Sequence, residues 1–199
     1  MPIFGVTASS NMSSKLTDFY QIATTTVGSG GTASITFSSI PQTYKHLQLR
    51  WVARDNRATY SADDFKFQLN GNSTPSSYAN MRMQGYNTTM YYESYPSNHA
   101  AQLPGFLAGA PSASGGNIAN SFGVGIIDIY DYTNTNKNKT LKGISGEQSN
   151  QNGANTGGAM GLYSGLFLST SAITSIYIAP GNATLLSEFS TFALYGVLN

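Results

Sequence analysis

Between residues 34 and 55 the chain alternates apolar and polar side chains with a period of two. Ile35 and Phe37 alternate with Ser34, Thr36 and Ser38. After a break at Ile40-Pro41-Gln42-Thr43, Leu47, Leu49, Trp51 and Ala53 alternate with His46, Gln48 and Arg50. A period of two is the signature of strands with one buried and one wet face. Trp51, the only tryptophan, falls on the apolar face. Burying a side chain of that size contributes a few kcal/mol, on the order of 3. The two runs are therefore expected to form a strand pair at the centre of a β-sheet core.

The rest of the chain repeats this pattern. Residues 19–27 read as a β-branched strand, closed by Gly28-Ser29-Gly30-Gly31 as a hairpin turn. Phe65, Phe67 and Leu69 alternate with Lys66 and Gln68 and stop at Asn70-Gly71, a strong turn dipeptide. Met81, Met83 and residues 90–95 continue in β-prone residues. Residues 100–116, broken by Pro104 and Pro111, are expected to be a loop packed by Phe106 and Leu107. Residues 122–132 are a strand whose apolar residues change face at Ile126-Ile127, which calls for cover on both sides or a bulge. Residues 140–147 form a further strand, and 133–139 and 149–158 are polar loop tips. Residues 160–169, 173–179 and 189–198 close the chain, with Pro180-Gly181-Asn182 turning between the last two. About ten strands with frequent turn signals and no amphipathic helix predict an all-β protein. The expected architecture is a single antiparallel jelly-roll-like β-sandwich over residues 18–199. Residues 1–17 are small and polar. They read either as a loose terminus or as an extended arm that orders on a neighbouring subunit.

Only 10% of residues are charged and the net charge is +1, against roughly 25% charged in an ordinary domain. No long-range field draws in nucleic acid or an anionic membrane. Ser, Thr, Asn, Gly and Tyr supply the polarity, a composition suited to lasting contact with protein. The chain has no cysteine, which excludes disulfides and thiolate metal sites. The start lacks a basic region followed by an apolar one, so no signal peptide is expected. No apolar run approaches the roughly 18 residues of a membrane helix.

Reactive constellations are hard to find. His46 and His99 are far apart and have no ligand-spaced companions. Asp128 and Asp131 could hold calcium with loop carbonyls, but they equally suit a solvated strand end, and no Asp-x-Asp-x-Asp-Gly spacing is present. Asp63-Asp64 is the other acid pair. No catalytic residue, cofactor or metal ligand is assigned, and the scarcity of His, Asp and Glu argues against an enzyme. The tyrosines Tyr86, Tyr91, Tyr92 and Tyr95 are crowded into ten residues. They are candidate partner-binding residues, for a subunit or a sugar, together with Phe4 and Val6 of the arm.

Several stretches carry a resemblance. They are residues 20–31 (Tyr20-Gln21-Ile22 through Gly30-Gly31), Ser34-Ile35-Thr36-Phe37-Ser38-Ser39-Ile40-Pro41, and Tyr44-Lys45-His46-Leu47-Gln48-Leu49-Arg50 with Arg54-Asp55. Near the end of the chain are Ile173-Thr174-Ser175-Ile176 and Ser190-Thr191-Phe192-Ala193-Leu194-Tyr195-Gly196. Together they resemble a group of tailed-bacteriophage, cyanophage-like jelly-roll virion proteins; residues 61–170 are not matched. The resemblance implies a capsid decoration (cement) protein, homotrimeric, bound to the major capsid protein on the virion surface after synthesis in the host cytoplasm. It implies no catalytic residue. The alternative it leaves open is a tail or fibre module that binds host glycan through the tyrosines.

Overall fold

The computed structural model describes residues 18–57, 63–86, 89–95, 120–148 and 158–198. The arm with Phe4 and Val6, His99, the loop with Phe106 and Leu107, and most of the polar tip after Gln148 lie outside the described residues. Eleven strands are present among them: β1 (Phe19–Thr26), β2 (Ile35–Phe37), β3 (His46–Ala53), β4 (Phe65–Leu69), β5 (Tyr78–Tyr86), β6 (Thr89–Tyr95), β7 (Gly123–Tyr130), β8 (Lys139–Glu147), β9 (Ala159–Phe167), β10 (Ile176–Pro180) and β11 (Thr191–Val197). A short 3-10 turn at Pro75–Ser77 leads into β5.

The strands form two sheets. One has eight strands in the order β1-β11-β3-β7-β8-β9-β5-β6, and the other has three in the order β2-β10-β4. Every pairing is antiparallel. The fold is thus an all-β sandwich, as the alternation predicts. Leu47, Leu49, Trp51, Ile127, Ile129, Phe192 and Leu194 of the wide sheet are buried in one apolar core with Ile35, Phe37, Phe65, Phe67, Leu69, Ile176 and Ile178 of the narrow one. Phe65 links the layers, lying edge-on to Trp51 (ring centroids 6.4 Å apart) and tilted against Phe192 at 5.7 Å. Ring pairs at such separations add to plain burial.

The structure corrects the pairings expected from the sequence. The runs around Ile35 and Trp51 are both strands, but they do not pair. β2 belongs to the narrow sheet and β3 to the wide one. Alternation marks a buried face; it does not say which layer the face belongs to. Similarly, Gly28 to Gly31 is a turn, closed by the Gly31 N–H on the Gly28 carbonyl at 3.2 Å, but it is not a hairpin. β1 pairs with β11, and the glycines carry the chain between layers. Gly31 is left-handed (φ 78°), and a Cβ there would sit 2.6 Å from the Leu186 carbonyl oxygen. The Pro180-Gly181-Asn182 turn also crosses layers, from β10 to β11. Asp63 fastens it, accepting from the Asn182 and Ala183 N–H groups, both at 2.8 Å. Finally, β7 contains no bulge: its register with β3 and β8 is unbroken across Ile126 and Ile127.

Trp51 fits because its partner across the ladder has no side chain. Trp51 lies opposite Gly125, and a Cβ on Gly125 would fall 1.7 Å from the indole Cζ2. Gly125→Ala should therefore displace the ring and cost about 2 kcal/mol or more, the scale of overpacking in a core. Gly28→Ala, whose Cβ would meet nothing within 4 Å, should be close to neutral. Urea denaturation of both variants measures the difference, and equal midpoints would contradict this packing.

Candidate functional site

Side chains on a strand alternate between the two faces of its sheet, so register assigns each one. On β3 and β11 the outer face of the wide sheet is largely polar: Gln48, Arg50, Thr191 and Tyr195. Arg50 lies over the rings of Phe19 and Tyr195, 4.9 and 4.7 Å from their centroids. It also donates to Gln48, which in turn donates to Asp128 at 2.7 Å.

From β7 outward the outer face becomes apolar. One row across the ladders runs Met90, Gly85, Met160, Gly146, Val124, Val52, each residue directly opposite the next. The adjoining row runs Tyr92, Met83, Leu162, Ile144, Ile126 and ends at Arg50. A third row is mixed: Ser94, Met81, Ser164, Lys142, Asp128, Gln48. Met81, Met83, Met90, Tyr92, Val124, Ile144, Met160, Leu162 and Val52 are all exposed, Tyr92 to 72% and Met160 to 67%. Nine such side chains present an apolar area on the order of 1,000 Å², larger than the few-hundred-Å² patch usual on a monomer.

The surface is concave. Met81, Met83, Tyr92, Leu162, Lys142 and Tyr130 line a trough of about 700 Å³. Four of the six methionines stand on this face. Flexible, polarisable thioethers let such a surface adapt its shape to what it packs against.

The opposite, inner face of the same wing is mixed: Tyr78, Leu141, Tyr163 and Phe167 are buried there beside polar and charged groups. Arg82 pairs with Glu93 and lies 3.6 Å from Asp64. The Tyr163 hydroxyl lies 3.3 Å from Ser145 Oγ. Glu147 is buried, and neither carboxyl oxygen has a hydrogen-bond partner among the described residues. Burial pushes its pKa up to about 8. Asp55, at the seam between the layers, is also fully buried. Its Oδ1 accepts the Arg57 N–H at 2.9 Å, while Oδ2 has no hydrogen-bond partner among the described residues. Burial raises it to about 8 as well, against the opposing Arg57 N–H bond.

The residues singled out in the sequence are dispersed by the fold. Tyr92 lies opposite Met83 in the trough row, whereas Tyr91 lies opposite Gln84 on the inner face. One ligand therefore cannot stack on both rings. Tyr86 and Tyr95 sit at the two ends of that ladder, opposite Thr89 and Asn80, and their side chains are outside the described residues. Asp128 is engaged by Gln48; Asp131 pairs with Lys137, and its N–H donates to His46 Nδ1 at 2.8 Å. Among the described residues no three acidic or histidine side chains converge as metal ligands. Lys139, which the sequence places at a loop tip, is instead buried. Its ammonium donates to the carbonyls of Lys137 and Thr170 at 3.0 and 2.9 Å, capping the turns around it.

The apolar rows themselves are not evident from alternation alone. Their sequence signal is glycine at the inner positions, as in Gly143-Ile144 and Met160-Gly161-Leu162. Comparison of the chain with protein-family models, with curated proteins and with solved structures finds no match.

The buried carboxyls set a pH dependence. In the unfolded chain Asp and Glu release their protons near pH 4; folded, Asp55 and Glu147 hold theirs to about 8. Between those values the folded state binds more protons, so stability falls as pH rises from about 4 to about 8 and then levels. Melting temperatures across pH 5–9 should show this decline, and Asp55→Asn with Glu147→Gln should reduce it, the remainder coming from Asp64, which burial raises to about 7. A wild-type profile that rises over this range would contradict the assignment.

Proposed function

We propose that this chain is a structural protein of a virion that works by packing the outer face of its wide sheet against other protein. The most specific form of that reading is a capsid decoration protein, oligomeric, attached to the major capsid protein lattice. The observation that carries it is the pair of exposed apolar rows on five adjacent strands. Their area matches the roughly 800 Å² that one partner contributes to a stable protein interface. Met, Tyr, Leu and Ile, with few charges, make up the composition of an interface centre. The virion setting is supported by the resemblance of the first and last strands to phage virion proteins. The strand order supports the finer architecture: early and late strands interleave as β1-β11-β3-β7 facing β2-β10-β4. That interleaving favours a jelly-roll reading, with β8, β9, β5 and β6 as a widening of the larger sheet.

Many weak contacts repeated over a lattice sum to near-permanent attachment. Purified particles should therefore carry this chain at a copy number comparable to that of the shell protein. Leu162→Lys, which puts a charge at the centre of the apolar rows, should lower bound copies at least tenfold and leave the circular dichroism spectrum unchanged. A few copies per wild-type particle, or full occupancy with Leu162→Lys, would overturn the proposal.

A further inference from the structure

The trough has a donor of matching chemistry on the same chain. Residues 1–14 contain no charged side chain, and their large apolar residues cluster at Ile3, Phe4 and Val6, ahead of a run of Thr, Ser and Asn. The described chain begins at Asp18, whose carbonyl still accepts the Leu198 N–H at 3.2 Å. Asp18 therefore continues the β1 ladder. β1 is the edge strand at one side of the wide sheet, and the trough lies on the other half, from Tyr130 of β7 and Lys142 of β8 across β9 and β5 to β6. Phe19 stands at the end of the sheet, opposite Val197, which lies opposite His46. The described chain thus begins at the end of the sheet.

Phe4 lies fourteen positions before Asp18, an extended reach of roughly 45 Å. Docking within one molecule would take the segment back along the sheet and across five strand spacings to Leu162, roughly 24 Å, whereas a neighbour can present its trough at the end of the sheet where the described chain begins. The concavity points the same way. Two copies of this face laid on each other would enclose a void, whereas a single extended segment fills a trough.

We propose that the methionine-lined trough is the acceptor site for residues 3–6 of a second copy of this chain. Donor and acceptor stand on opposite edges of the sheet, so the contact is head-to-tail, and successive copies close into a ring when the rotation permits. The inference rests on reading this face as a protein-packing surface and names its occupant.

The chain is free of cysteine, which allows a direct test. Full-length Phe4→Cys and Leu162→Cys chains are mixed and mildly oxidised, with Thr24→Cys on the exposed polar face replacing Leu162→Cys as the control. The expected product is a disulfide-linked heterodimer through positions 4 and 162, at least tenfold above the control. A link formed only within one chain carrying both substitutions would overturn the proposal. So would a yield no higher than the control, or an intrachain link from Phe106→Cys to Leu162→Cys that shows another segment in the trough. If the 4–162 link fails while Leu162→Lys still strips the protein from particles, the packing face stands and this inference falls. If Leu162→Lys leaves particles fully occupied, the packing reading falls as well.

Discussion

Three strands cannot cover eight. Strands in a sheet lie about 4.8 Å apart, so the layer β2-β10-β4 cannot close over the whole width of its partner. That mismatch in width organises the molecule. Where the narrow sheet covers the wide one, the inner face is apolar and the outer face carries Gln48, Arg50 and Thr191. Beyond it both faces carry apolar side chains: Met83, Leu162 and Ile144 point outward, while Tyr78, Leu141, Tyr163 and Phe167 share the inner positions with Asn80, Arg82, Ser145 and Glu147. Each sheet region must bury an apolar face. In the wing formed by β8, β9, β5 and β6, a second apolar face looks away from the molecule's own core.

The outward apolar face has a residue-level cause. Inner positions along β7, β8 and β9 are often glycine: Gly125 under the Trp51 ring, Gly143 beside Ile127, Gly161 beneath Tyr163. Gly125 makes room for the Trp51 ring of the neighbouring strand, and Gly161 for the Tyr163 ring two residues along its own strand. The volume that would otherwise face inward is carried by Val124, Ile144 and Leu162 on the outer side. The buried carboxyls belong to the same economy of polarity. Asp55 sits at the layer seam and Glu147 on the inner side of the wing, and each is accommodated by keeping its proton rather than by meeting a cation.

Much of the fold is legible in the sequence, and the illegible part has a physical reason. Period-two runs identify the strands through Trp51, Phe67, Ile178 and Phe192 because one face of each is buried. They do not identify partners: Ile35 and Trp51 look like neighbours in sequence yet face each other across the core. Pairing is decided by long-range register, which a local pattern does not encode. The candidate face was half visible. The apolar residues of both parities in β7 signal cover on both sides, and Tyr92 belongs to the face. The methionines of β5 and β9 escape notice because their role depends on which strands end up side by side. The crowding of Tyr91 and Tyr92 in sequence is undone by the same alternation that builds the sheet.

The central claim is that the outward apolar face of the wing is covered by protein in the working assembly. Methionine oxidation reads this directly, since Met81, Met83, Met90 and Met160 all stand on that face and thioethers react with peroxide where solvent reaches them. In dilute, isolated chain these four should oxidise readily; in the assembled state they should be protected at least tenfold. Equal oxidation rates in the two states would mean the face stays open to water, and the account would be wrong.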